Sequence, residues 1–219
     1  MKDTVFVNLI TGSPNYVYGQ KRFISSFHEL NLCSVVDIAT YGTEGEINSE
    51  PHHQNPYAFK VYSIEYLRNL GYEKVFWFDA SMNFIRHPQP ILDFVSQKGY
   101  FFEEAGHYVG NWCNDNALQW FGITREEAMK MIMFSSGMMG LDFTQQVACD
   151  FFDKWKESML AGCFVGSWGD HRHDMTCASI VANQMGLAHE FSKGGTYLAY
   201  DGGGYGAPQG SVICLHKGV

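Results

Sequence analysis

The pattern of apolar positions predicts an α/β fold. Residues 75–78 form a continuous run of four apolar residues that favour β-structure, typical of a strand buried on both faces in the middle of a parallel sheet. Residues 5–10 and 35–40 predict two further strands, and the helical spacing of residues 16–30 between them predicts a βαβ unit. We therefore expect a Rossmann-like domain, with a mixed, mostly parallel sheet flanked by helices.

Turn formers and capping residues predict the remaining elements. Asn55 is the expected cap of a helix over residues 56–70, and Asp174 is the expected cap of a helix that runs to Gln184. Residues 105–123 carry no clear period and are expected to be irregular. The spacing also predicts helices at 91–97 and 144–160, and strands at 100–103, 133–141 and 211–215.

Composition indicates a globular protein with a buried core. The chain of 219 residues is 46% hydrophobic and 17% charged, and without any evident linker we expect one domain over residues 1–219. The formal charge of -8 argues against nucleic acid as a partner, because a basic surface is needed to neutralise its phosphates. No apolar run approaches the ~20 residues of a membrane span.

The cysteine pattern predicts reduced thiols in a cytoplasmic protein. The six cysteines are scattered without a CxxC pair, and a disulfide framework is the less favoured alternative in a chain of this size. The same absence argues against a zinc site at His52-His53 or at His171 and His173. The cysteines are Cys33, Cys113, Cys149, Cys163, Cys177 and Cys214.

Polar residues stand where predicted strands stop. Asp79 directly follows the buried run at 75–78, and His216 follows the last predicted strand. The carboxyl ends of strands in an open α/β sheet form its ligand-binding edge. A carboxylate and an imidazole at that edge, completed by phosphate oxygens of a ligand, suit Mn²⁺ or Mg²⁺. Asp79 and His216 could therefore share such a cation, and they are the candidate metal ligands.

Short motifs in the same order along the chain resemble those of GT-A-type glycosyltransferases, most like the family of glycogenin and the lipopolysaccharide galactosyltransferases. Asp79-Ala80-Ser81 stands where these enzymes have Asp-x-Asp after a buried strand, and Leu215-His216-Lys217-Gly218 matches the start of their last element. Ser135-Ser136-Gly137-Met138-Met139 resembles an Asn-Ser/Ala-Gly strand. His173-Asp174-Met175 stands where the family has Asp-Gln opening a helix. Together these motifs span nearly the whole chain.

The resemblance implies transfer of a sugar from a nucleotide diphosphate sugar, with UDP as the expected nucleotide, to an acceptor hydroxyl on a glycan or another molecule. It implies a metal-assisted and retaining reaction, with Asp79 and Asp174 as catalytic residues. Lys60 or Lys217 would meet the diphosphate, and Tyr16 or Tyr41 would stack on the base. The expected donor-binding residues are Thr11, Gly12, Tyr16, Tyr41, Lys60, Ser81, Asn83, Ser136, Gly137 and Lys217.

Two alternatives stay open, and the first of them follows from a departure from the family pattern. Ser81 replaces the second aspartate, and a hydroxyl is a weaker ligand than a carboxylate for a hard cation. The chain could therefore be a catalytically inactive glycan-binding module on the same fold. A nucleotidyltransferase is the other alternative, although residues 11–14 lack the basic, glycine-rich phosphate loop that those enzymes usually have after their first strand.

Overall fold

The structure is a computed structural model that describes residues 2–11, 13–200 and 210–216. The strands and helices alternate through most of the chain. The strands are β1 Thr4–Leu9, β2 Asp37–Tyr41, β3 Lys74–Phe78, β4 Met82–Phe84, β5 Tyr100–Phe101, β6 Glu104–Tyr108, β7 Ile132–Phe134, β8 Met138–Asp142, β9 Leu198–Tyr200 and β10 Ile213–Leu215. The α-helices are α1 Pro14–Glu29, α2 Ala58–Asn69, α3 Gln89–Lys98, α4 Asp115–Phe121, α5 Arg125–Ala128, α6 Gln146–Leu160 and α7 His173–Gln184.

The central sheet has five strands in the order β2-β1-β3-β8-β5. β1 pairs in parallel with both β2 and β3, while β8 runs antiparallel to β3 and to β5. Four of the five strands therefore point the same way. This arrangement confirms the predicted mixed, mostly parallel sheet and the opening βαβ unit.

Alternate residues of the inner strands pack on opposite faces of this sheet. Phe6 and Phe76 belong to one core cluster, together with apolar residues of α1 and α3. Val7 and Trp77 belong to the other cluster, together with apolar residues of α2, α6 and α7. Because both faces are covered by helices, β1 and β3 consist of nearly continuous apolar residues.

A second, three-stranded sheet lies where β3 ends. β10 pairs antiparallel with β4 and parallel with β9. The pairing with β4 continues in a hydrogen bond from the backbone N–H of His216 to the carbonyl of Ser81, at 2.8 Å. This bond brings the residue after β10 to the residues that follow β3.

Several predicted boundaries are wrong. Residues 105–123 contain most of β6 and all of α4, and the single strand expected at 133–141 is two strands, β7 and β8, which join different sheets. A turn at residues 135–137 separates β7 from β8. The strand expected at 100–103 is shorter in the central sheet, Tyr100–Phe101, and Glu103 forms an isolated parallel bridge with Ser192.

Two predicted helix caps are also wrong. α2 begins at Ala58 after Tyr57, which has a left-handed φ of 62°, and the side chain of Asn55 instead donates to Glu50. α7 begins at His173 with Arg172 in the cap position. Asp174 lies inside its first turn, where its carboxylate meets Lys60 instead of capping the helix.

The structure also describes the state of the cysteines and the length of the helices. Cys33, Cys113, Cys149, Cys163 and Cys177 are free thiols, of which Cys113, Cys163 and Cys177 are buried and Cys33 is exposed. Among the residues that the structure describes, no helix has both the length and the apolar character needed to cross a bilayer.

Candidate active site

A cleft of about 520 Å³ opens beyond the carboxyl ends of β1 and β3. The polar residues that follow these strands form much of its wall, as expected for the ligand-binding edge of an open α/β sheet. The chain segment after β10 completes the wall on the other side. Residues that line the cleft include Thr11, Tyr16, Trp77, Asp79, Ser81 and His216.

Asp79 is held in place by its immediate surroundings. Its backbone N–H donates to the carbonyl of Gly137 at 2.8 Å, and its Oδ1 accepts a hydrogen bond from Trp77 Nε1 at 2.7 Å. A Cβ at position 137 would lie 3.0 Å from Asp79 Oδ2, so glycine leaves room for this carboxylate. The side chain of Asp79 is 34% exposed and therefore reaches the cleft.

A buried lysine joins Asp79 to Asp174. Lys60 Nζ lies 3.0 Å from Asp79 Oδ1 and 3.1 Å from Asp174 Oδ2, and it donates to the carbonyl of Ser136 at 3.1 Å. The rings of Tyr57 and Trp77 lie 5.2 and 5.5 Å from the same Nζ. Lys60 is 2% exposed and Asp174 is 3% exposed, so this cation is held by protein groups rather than by water.

Burial and the neighbouring charges shift the pKa values of this cluster in opposite directions. Burial alone would lower the pKa of Lys60, but Asp174 and Asp79 together raise it above its usual value. Lys60 therefore stays protonated. Burial raises the pKa of Asp174, and Lys60 limits that rise. With both carboxylates ionised, the Asp79–Lys60–Asp174 cluster carries one net negative charge, and its exposed end faces the cleft.

His216 lies at the cleft wall and contacts Asn83. Its Nε2 is 2.6 Å from Asn83 Oδ1. Within residues 2–11, 13–200 and 210–216, no three His, Cys, Asp or Glu side chains are grouped so that they could hold a metal ion. Asp79 and His216 thus offer one carboxylate and one imidazole. That set suits a Mg²⁺-like cation only if ligand phosphates and water supply its remaining coordination.

The predicted site residues fall into three groups in the structure: those that line the cleft, those beneath it, and those that lie elsewhere. Thr11, Tyr16, Asp79, Ser81 and His216 line the cleft. Lys60, Ser136, Gly137 and Asp174 contact one another or Asp79 beneath it.

The rest of the predicted set lies elsewhere. Tyr41 is not among the residues that line the cleft, and its ring packs edge-on against Tyr66. Asn83 reaches the cleft only through His216. Gly12 and Lys217 lie outside the described residues.

The prediction missed three aromatic or imidazole side chains at the site. The apolar run at 75–78 identifies Trp77 only as part of a buried strand, yet its indole N–H also fixes Asp79. Tyr57 and His52 line the cleft, and the backbone N–H of Tyr57 donates to His52 Nδ1 at 3.1 Å. A signal for Trp77 was present, because a buried indole N–H needs an acceptor and Asp79 is two residues away.

Comparisons with solved structures find the same architecture in known glycosyltransferases. The galactosyltransferase LgtC, in complex with donor and acceptor sugar analogs, matches over 98% of this chain and 87% of its own, with a TM-score of 0.53 and 10% identity. A glycosyltransferase involved in the glycosylation of the major capsid of PBCV-1 matches over 99% and 93%, with a TM-score of 0.54 and 8% identity. This chain has the GT-A glycosyltransferase fold.

A third structure with the GT-A fold, mouse xyloside xylosyltransferase 1 in its apo form, matches over 98% of this chain and 97% of its own, with a TM-score of 0.52 and 9% identity. No family model matches the sequence, and no curated protein matches it. The GT-A fold predicted from degenerate motifs is therefore confirmed at the level of the fold, while the chemistry must be argued from the site.

Proposed function

We propose that the chain is a glycosyltransferase that moves a sugar from a nucleotide diphosphate sugar, with UDP as the nucleotide, to an acceptor hydroxyl with retention of configuration. One observation carries the proposal. Asp79 ends a buried strand of a GT-A fold and projects into a cleft that Thr11, Tyr16, Ser81 and His216 also line. This cleft has the size of a small-molecule site and a few convergent polar groups.

The cleft residues suit the parts of such a donor. Tyr16 is 41% exposed and offers a ring on which the base can stack. Thr11 and Ser81 supply hydroxyls for the ribose or the sugar. Trp77 and Lys60 both hold Oδ1 of Asp79, so this carboxylate at the cleft wall is oriented before a ligand arrives.

Asp174 and Lys60 act from below the cleft in this proposal. We assign Asp174 the role of holding Lys60, because a carboxylate that is 3% exposed does not reach a bound donor without a rearrangement. Lys60 in turn fixes Asp79 and offsets its charge. The pair keeps the reacting region preorganised, and preorganised charge contributes strongly to catalysis.

We further propose that Mn²⁺ or Mg²⁺ binds with the donor, through Asp79 and His216 and the two phosphates. When bound, this cation would stabilise the negative charge on the departing diphosphate. We also propose a cytoplasmic location, since free thiols such as the buried Cys113, Cys163 and Cys177 are typical of a reducing compartment.

Thermal shift with a panel of nucleotide diphosphate sugars, with and without Mn²⁺, tests the proposal. A ligand at 100 times its Kd stabilises the native state by about 2.7 kcal/mol, so a donor should raise the Tm of the wild type. Asp79→Asn and His216→Ala should reduce that shift. Asp93→Asn, on the exposed face of α3, is the matched control and should leave it unchanged.

Two results would contradict the proposal. If no nucleotide diphosphate sugar shifts the wild type, the cleft is not a donor site. If sugars without a nucleotide bind instead, the inactive glycan-binding module is favoured, an alternative that Ser81 in place of a second carboxylate keeps relevant.

A further inference from the structure

A large exposed aromatic side chain stands beside the cleft without a role in donor binding. Trp168, in the connection between α6 and α7, is 56% exposed. Its ring centroid lies 6.1 Å from that of Tyr57, which lines the cleft and lies over Lys60 Nζ. Trp168 therefore contacts Tyr57, and Tyr57 in turn contacts Lys60 of the charged cluster.

The indole of Trp168 is held in a fixed orientation. The guanidinium carbon of Arg172 lies 4.0 Å from its ring centroid and 4.1 Å from that of Trp112. His173 also stacks on the indole, with centroids 5.8 Å apart and planes at 26°. These cation–π and stacking contacts limit the rotamers that Trp168 can adopt.

The backbone beneath this stack is fixed as well. Arg172 N–H donates to the carbonyl of Trp112 at 3.1 Å, and Thr176 Oγ1 donates to the same carbonyl at 2.7 Å. His173 has a left-handed φ of 45°, a conformation that costs a residue other than glycine of order 1–3 kcal/mol. Its Nδ1 is hydrogen-bonded to the carbonyl of Phe164 at 2.8 Å.

The chemistry of the stack favours an uncharged ligand. Arg172 meets two indole rings, and its Nη1 is buried without a hydrogen-bond partner. The guanidinium carbon lies over both rings, so this cation contacts the indoles and its charge is partly satisfied there rather than by a carboxylate or a phosphate. What the protein offers to solvent here is an indole surface, which packs well against the C–H face of a pyranose ring.

We propose that Trp168 is a binding platform for the acceptor, and that the acceptor is a neutral sugar ring of a glycan rather than a hydroxyl of a protein side chain. The inference rests on the proposed function, because it takes the cleft to be the donor site. An indole already fixed by Arg172 and His173 loses little conformational freedom when a sugar packs on it, which favours binding.

Saturation-transfer NMR tests the platform directly with lactose, maltose and N,N′-diacetylchitobiose as probes. We expect at least one disaccharide to receive saturation at its ring C–H protons. Trp168→Ala should weaken that disaccharide's binding about tenfold, which corresponds to about 1.4 kcal/mol, and Trp168→Phe should restore part of it. Trp120→Ala removes another exposed indole, 44% exposed on α4, and should change nothing.

The outcomes separate this inference from the proposed function. If no disaccharide binds, or if Trp168→Ala binds the disaccharide as the wild type does, the proposed role of Trp168 is wrong. Binding of nucleotide diphosphate sugars to the wild type is measured in parallel by thermal shift. If no nucleotide diphosphate sugar binds but disaccharide binding depends on Trp168, the proposed donor site is wrong, and Trp168 remains a sugar-binding residue without the acceptor role.

Discussion

Replacing Lys60 with methionine removes the only cation in contact with both carboxylates of the buried cluster, among the side chains that the structure describes. Methionine keeps the length and apolar stem of the lysine, so the variant creates little cavity. It leaves Asp174, 3% exposed, without its counter-charge. Asp79 is partly exposed, and water can solvate it.

The expected cost follows from the burial of Asp174. Removing one partner of a buried ion pair destabilises a protein by about 3–5 kcal/mol. In a chain of this size each kcal/mol corresponds to about 2–4 °C, so the Tm should fall by roughly 6–20 °C. The matched control is Lys130→Met, because Lys130 is 71% exposed and pairs with Glu126 on the surface. It should cost no more than about 0.5 kcal/mol.

Urea unfolding followed by circular dichroism at pH 5 and pH 7 provides the assay. Burial raises the pKa of Asp174 above its usual value, and loss of Lys60 removes the charge that limits this rise. The native variant then binds a proton more tightly than the unfolded chain does. Its stability therefore increases as the pH falls from 7 toward 5.

A double variant distinguishes the ion pair from a loss of packing. Adding Asp174→Asn to Lys60→Met removes the unpaired buried charge and should recover most of the stability. The reasoning is refuted if Lys60→Met costs no more than Lys130→Met. It is equally refuted if the loss is the same at both pH values and the double variant recovers nothing.

Two further predictions concern residues outside the cluster. Burial raises the pKa of Glu103 to about 7 despite hydrogen bonds from the backbone N–H groups of Gly195, Tyr197 and Leu198; the wild type should therefore lose stability relative to Glu103→Gln as pH rises from about 4.5 to 7, and equal pH slopes in urea titrations would contradict this. A Cβ at Gly140 would lie 2.5 Å from Phe76 Cε1 and 2.8 Å from Val95 Cγ2, so Gly140→Ala should cost about 1–3 kcal/mol, whereas Gly169→Ala, with its nearest atom at 3.8 Å, should be neutral in the same unfolding assay.

Local sequence was sufficient to predict the sheet and the position of Asp79. Four apolar residues followed by a carboxylate specify both a buried strand and the point where it stops, and β3 ends at Phe78 as expected. The turn at residues 135–137 was harder to predict, because apolar residues lie on both sides of it. The separation of β7 from β8 depends on their different partners, β6 and β3.

The Lys60–Asp174 pair could not be predicted from either residue alone. They lie on α2 and α7, which pack on the same face of the sheet. No local sequence pattern indicates that their side chains are in contact. A partial signal existed at Lys60, which is three residues after Tyr57 and four before Ile64 and so lies on the buried side of α2. A lysine on an apolar face implies a buried counter-charge.

The backbone bond between His216 and Ser81 has a consequence for how the protein is made. The adjacent side-chain contact between His216 and Asn83 joins residues 133 positions apart. One wall of the cleft therefore forms from segments that are far apart in the sequence. During synthesis, β1, β2, β3 and β8 can associate before residues 210–216 have left the ribosome. The nascent chain would then hold the central sheet with the cleft open on one side, and the wall that contains His216 would form only after β10 joins β4.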